Sequence, residues 1–171
     1  MTKGYLVMAQ GEYAAQAEAL ARSIRSTQSS VNSISVITDR TVDSSLFDHV
    51  IPLSQDISAD AEWKIHNRAS FLDLTPYDET VILDADMLFL TDVSHWWEHL
   101  AQHELLLTSQ VQTYRALPVV NSPYRETFRA NTLPDVYSAF AYFKQTNLTK
   151  QFFSLIKSMM LDWNEWTVRY A

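Results

Sequence analysis

Asp84 and Asp86, separated only by Ala85, interrupt an otherwise apolar run from Thr80 to Leu90. Residues two apart share one side of an extended chain, so both carboxylates are expected to project together at a strand end. The apolar flanks put them near the interior, where an unpaired charge is costly. A hard divalent ion such as Mn2+ or Mg2+ suits such a pair. It takes a few protein carboxylates and fills its remaining positions with water and phosphate oxygens. The chemistry implied is the handling of a phosphate ester or diphosphate. Asp92, beyond Leu90, is expected to do something plainer and open a helix from Ser94 to Leu100 as its cap.

The elements that must position these acids follow from periodicity. Gly4 to Ala9 reads as a strand, and Tyr13, Ala17, Leu20, Ala21 and Ile24 then fall at helical spacing. Ser26 to Ser33 is polar and loop-like. Ile34 to Thr38 and His49 to Leu53 read as strands, the second short or at an edge because of Pro52. A helix is expected from Ser58 or Asp60 to Leu74, closed by Pro76. Beyond Leu100 the pattern predicts a strand over Glu104 to Thr108, a long irregular segment from Gln110 to Leu133, a strand over Asp135 to Phe143 and a helix over Leu148 to Leu161. Strands alternating with helices predict an α/β domain with a mostly parallel sheet covered on both faces. In such sheets ligands bind outside the carboxyl ends of the strands, which is where Ala9, Thr38 and Asp84 fall.

Composition narrows the function. The 171 residues suit one compact domain, 1–171, and the absence of cysteine excludes disulfides, thiolate metal sites and cysteine nucleophiles. A net charge of -7 argues against a general nucleic-acid binder, so nucleic acid is not an expected partner. No apolar run reaches the length of a membrane span, and no signal-peptide pattern opens the chain, so a soluble, cytoplasmic protein is expected.

Five segments in order carry a family resemblance: Val7 to Tyr13, Leu20 to Ile24, Val36 to Asp39, Trp63 to Ile65 and Val81 to Leu90. Together they resemble the GT-A nucleotide-sugar glycosyltransferases, with the nearest likeness to the glycogenin-like glycosyltransferase family 8. The resemblance covers about Gly4 to Leu100. It implies a Rossmann-like GT-A fold and transfer of a sugar, with retention, from a nucleoside diphosphate sugar (a UDP-sugar above all) to an acceptor that is a glycan, a protein or a small molecule. It further implies that Ala9, Gln10 and Tyr13 lie against the nucleoside, with Tyr13 stacked on the base, and that Thr38 and Asp39 border the same site. Asp84 and Asp86 would hold Mn2+ or Mg2+, with Ala85 between them against the donor. Lys64 would lie near the phosphates, with Arg68 one helical turn further along. The residue-level alternatives are a core role for Tyr13 and a solvated helix face for Lys64 and Arg68.

The pattern departs from the family in two places. Neither Tyr137 to Phe140 nor Asn121-Ser122 supplies the glycine of the family's Asn-Ser-Gly-like strand, which lets backbone approach the donor closely. The family's C-terminal histidine ligand has no counterpart after His103, and His95, His99 and His103 read as a polar surface. The chain thus reads as the nucleotide-binding half of such an enzyme, possessing Trp163 and Trp166, and Trp96 and Trp97, as either sugar-stacking or core aromatics. No nucleophile or general base is identifiable, and neither acceptor nor oligomeric state is written in these residues. Two rival readings are a haloacid-dehalogenase-like phosphatase, with Asp84 as nucleophile and Asp86 as acid, and a GT-A-like binding or structural domain without turnover.

Overall fold

The computed structural model describes residues 1–31, 33–54, 56, 66–110, 112, 115–118, 126, 130–134, 136–162 and 165. Six strands, β1 (Lys3–Ala9), β2 (Ile34–Thr38), β3 (His49–Pro52), β4 (Glu79–Asp84), β5 (Leu105–Ser109) and β6 (Val136–Lys144), form one sheet in the order β3-β2-β1-β4-β6-β5. β3, β2, β1 and β4 are mutually parallel, and β6 runs against both β4 and β5. The sheet is therefore mixed at one side. Among the described residues four helices accompany it: α1 (Tyr13–Thr27), α2 (Phe71–Leu74), α3 (Trp96–Leu100) and α4 (Asn147–Leu161).

The alternation along β1 explains why both faces are covered. Tyr5, Val7 and Ala9 join a buried cluster with Leu20 and Ile24 of α1 and Trp97 of α3. Leu6 points the other way, into a cluster with Phe71 of α2, Phe143 of β6 and Phe153 of α4. A strand buried on both sides is mostly apolar, as β1, β2 and β4 are, and the buried polar side chains it admits are bonded, Ser35 to Tyr77 Oη at 2.7 Å and Thr80 to Thr75 at 2.7 Å. Gly4 is required for a different reason. A Cβ there would lie 2.3 Å from Cζ of Tyr77, whose ring packs directly on the β1 backbone.

Several boundaries differ from expectation, each for a physical reason. The Thr80-to-Leu90 run is not one strand. β4 ends at Asp84, Ala85 and Asp86 turn, and the Met87 N–H closes the turn on the Asp84 carbonyl at 3.3 Å. Phe89 then packs edge-on against Tyr5, and its N–H bonds Ser23 Oγ of α1 at 3.0 Å, so an apolar loop mimics a strand in sequence. Asp84 and Asp86 consequently do not share a strand face. α1 runs through Thr27, two residues into the expected loop, and α3 starts at Trp96 rather than Ser94. Asp92 is not its cap. It accepts from the Ser94 N–H at 2.9 Å and sits 3.5 Å from the Ser29 N–H, tying the end of α1 to the turn before α3; hydrogen bonds from Ser29 and Ser94 hold its carboxyl well below the usual carboxylate range. The first part of the expected Ser58-to-Leu74 helix, 57–65, lies outside the described residues; the remainder is a 3-10 turn, His66–Ser70, followed by α2. Pro52 ends β3 at the edge of the sheet, as expected. Among the described residues no helix is long and apolar enough to cross a membrane.

Candidate functional site

β1 lies between β2 and β4, so the chain leaves β1 in one direction to build β2 and β3 and returns on its other side as β4. The crevice at the carboxyl ends of β1 and β4 is thus a topological switch point, where two loops diverge and leave room for a ligand. Met8 pairs with Asp84 across this boundary, which brings Ala9, Gln10 and Gly11 beside Asp84 and Ala85.

Asp84 is the last residue of β4 because a carboxylate can face the crevice there while Leu83, one residue earlier, stays in the core. Its side chain is 21% exposed, and its Oδ1 accepts a short charge-assisted hydrogen bond from Arg68 Nη2. Arg68, on the His66–Ser70 turn, also donates through Nη1 to Ser138 Oγ at 2.9 Å and to the Ser138 carbonyl at 3.2 Å. One guanidinium therefore joins the turn, β4 and β6. This overturns the reading of Arg68 as a solvated helix charge. It also gives Ser138, within the Tyr137-to-Phe140 segment that lacks the expected glycine, a place at the site. Ala85 is buried, whereas Asp86 in the turn is exposed.

The β1 side is pinned by polar contacts. Gly11 adopts φ +59°, a backbone conformation glycine tolerates, and its N–H donates to Asp39 Oδ1 at 2.9 Å. Asn67, next to Arg68, is buried and its Nδ2 donates to Gln10 Oε1 at 2.9 Å and to Asp56 Oδ1 at 2.7 Å. The Gln10 carbonyl accepts from Tyr13 N–H at 3.2 Å, starting α1. Tyr13 is 48% exposed, so it is not a core aromatic. Thr38 is buried and its hydroxyl accepts from the Arg40 N–H at 3.1 Å, so it shapes the turn after β2. Lys64, Trp163, Trp166 and Asn121-Ser122 lie outside the described residues.

The structure thus brings Arg68 to Asp84 and Asp39 to Gly11. It adds Asn67 and Asp56, which the sequence reading did not single out, and Ser138, which entered that reading only as part of the Tyr137-to-Phe140 segment. Two hard carboxylates match Mn2+ or Mg2+ in chemistry, though such an ion would share Asp84 with Arg68. No cluster of three or more His, Cys, Asp or Glu that could hold a metal ion is present among the described residues. His95, His99 and His103 are all exposed, as the polar-surface reading expects, with His99 within α3, His95 preceding it and His103 beyond it. Trp97 is a core residue whose Nε1 donates to Tyr5 Oη at 3.2 Å, while Trp96 is 44% exposed and packs edge-on against Phe140.

No family model and no curated protein matches the sequence. Solved structures do. The galactosyltransferase LgtC, in complex with donor and acceptor sugar analogues, superposes with a TM-score of 0.66 at 11% identity, over 93% of this chain and 64% of LgtC. The glycosyltransferase GlyE of Streptococcus pneumoniae TIGR4 gives 0.59 at 15% identity, over 100% of this chain and 41% of GlyE. Mouse xyloside xylosyltransferase 1 in its apo form gives 0.57 at 12% identity, over 93% of this chain and 75% of that protein. The chain therefore spans less than two thirds of the first two. Nothing among these neighbours supports the phosphatase reading. The similarity, together with the strand order and the switch-point crevice, shows that this chain has the GT-A glycosyltransferase fold.

Proposed function

We propose that the chain is the donor-binding portion of a metal-dependent glycosyltransferase that moves a sugar from a nucleoside diphosphate sugar, a UDP-sugar in the first instance, to an acceptor with retention. The observation that carries the proposal is the half-buried Asp84 at the β1/β4 switch point, held by Arg68 in a fold shared with glycosyltransferases. In this reading Gln10 and the exposed Tyr13 contact the nucleoside, and Asp39 braces the loop between them through Gly11. Asp84 and Asp86 hold Mn2+ or Mg2+. The bound ion supplies positive charge to the diphosphate leaving group. Arg68 adds a fixed cation beside Asp84, and Lys64 a second one near the phosphates. Charge held in place before the bond breaks stabilises the departing diphosphate without reorganisation.

Calorimetric titration of UDP with and without Mn2+, repeated on Asp86→Ala, tests this reading. Mn2+-dependent binding that the variant loses is the expected result, followed by turnover with UDP-sugars. Failure of UDP and GDP alike to bind the folded protein in Mn2+ ends it. A second reading, a GT-A-like domain without turnover, is favoured by one observation: Asp84 already has a cationic partner within the chain. It predicts nucleotide binding that Mn2+ does not change.

A further inference from the structure

We infer that Asn67 is a positioning residue that fixes which end of the Gln10 amide faces the nucleoside, making the site select bases that offer a carbonyl oxygen. The inference rests on the donor-site reading above. Asn67 is 1% exposed, and the two hydrogens of its Nδ2 go to Asp56 Oδ1 at 2.7 Å and Gln10 Oε1 at 2.9 Å. An ionised carboxylate only accepts, so Asp56 requires Asn67 to turn its nitrogen, not its oxygen, towards it. The same nitrogen then requires Gln10 to turn its Oε1 inward. Reversing either amide would set like groups against each other at a buried position, leaving donors or acceptors unmade.

The Gln10 end left over is Nε2, and among the described residues no acceptor takes its hydrogens. Gln10 follows Ala9 directly at the carboxyl end of β1, and the adjoining Gly11 has open space where a Cβ would project. A ligand in the crevice thus meets a fixed N–H donor beside an accessible stretch of backbone. Uracil O4 and guanine O6 accept from such a donor. The amino groups of cytosine and adenine at the corresponding positions do not, and a donor facing a donor leaves both unpaired. Asp56 and Asn67 touch no base themselves, and act through Gln10.

The test is titration of UDP, CDP, GDP and ADP in Mn2+ into the full chain, Asn67→Ala and Gln10→Glu. The wild-type chain is expected to bind UDP over CDP, and GDP over ADP, by about tenfold or more. Asn67→Ala frees the Gln10 amide to rotate and brings both ratios towards one. Gln10→Glu keeps the bond from Asn67 but presents a second carboxylate oxygen, and is expected to reverse both ratios whatever it does to overall affinity. If Asn67→Ala does not fold, Gln10→Glu decides alone. Equal binding of UDP and CDP by the wild type, or unchanged ratios in the folded variants, overturns the inference and leaves the donor-site reading standing. Binding of none of the four overturns both.

Discussion

β4 carries a carboxylate at each end, and the two are treated differently. At its start, the Glu79 side chain is 5% exposed; its Oε2 accepts from Tyr142 Oη at 2.7 Å and lies 3.3 Å from Lys3 Nζ. That ammonium also lies 5.9 Å from the centre of the Trp97 ring. Burial first, then the bond and charge of Glu79, push the Tyr142 phenol above its ordinary pKa, so it stays a donor. At the other end, Asp84 is more open and its described partner is Arg68, through one oxygen. The amino end is a closed polar network that fastens β1, β4 and β6. The carboxyl end has a carboxylate oxygen left to use. Two acids of similar chemistry on one strand therefore divide between holding the sheet and meeting a ligand.

The sharpest way to break this comparison is Glu79→Ala. It strands a buried Tyr142 hydroxyl and removes the partner of Lys3, and is expected to cost about 3 kcal/mol in denaturant unfolding. A loss below about 1 kcal/mol would put Glu79 in the same class as Asp84. Next comes alkaline pH, which attacks the closed half through Tyr77. Its ring packs on Gly4 and its oxygen accepts from Ser35 Oγ at 2.7 Å. Burial is the larger influence and pushes the phenol up to about 12, against the lowering effect of the Ser35 bond. The unfolded chain ionises near the ordinary value of 10 while the folded chain does not. Stability is therefore full below pH 10 and falls as the pH rises through about 12, by roughly 2 kcal/mol from this group. An unfolding midpoint that is flat from pH 9 to 12 contradicts it.

Asp84→Asn should do the opposite of Glu79→Ala. The Arg68 side chain is partly exposed and keeps Ser138, so the change in unfolding free energy is expected within about 1 kcal/mol. UDP affinity in Mn2+ is expected to fall at least about tenfold, because the ion and phosphates lose a charged ligand. A large stability loss with unchanged affinity would make Asp84 structural. The smallest effect belongs to the exposed Lys157–Asp73 pair, 2.9 Å apart between α4 and α2. Lys157→Ala should shift stability by less than about 0.5 kcal/mol and leave nucleotide affinity alone.

Much of the architecture was legible because β1, β2 and β4 are short, mostly apolar runs and α1 and α4 have clear helical spacing. What misled was Met87 to Leu90, where Phe89 is apolar because it packs on Tyr5 from a loop. Periodicity records burial, not the hydrogen-bond ladder that defines a strand. At the candidate site, the apolar run before Asp84 located the end of β4, but the extended geometry assumed for Asp84 and Asp86 failed at the Ala85–Asp86 turn. The partners of Arg68, 16 residues away at Asp84 and 70 away at Ser138, leave no local pattern. Asn67 likewise reads as an ordinary polar residue until the fold sets Gln10, 57 positions earlier, against it.

The central position of β1 has a consequence for biosynthesis. Of the six strands it is made before the other five, yet its β4 neighbour lies far downstream, and the clasp that closes that edge joins Thr2 to Asp78, 76 residues apart. At 5–20 residues per second, translation leaves that side of β1 without its partner for roughly 4–15 s. Leu6 and Val7, which end fully buried, spend that interval on an open apolar edge. The strand that carries Gln10 to the crevice is thus the one most in need of shelter as the chain emerges from the ribosome.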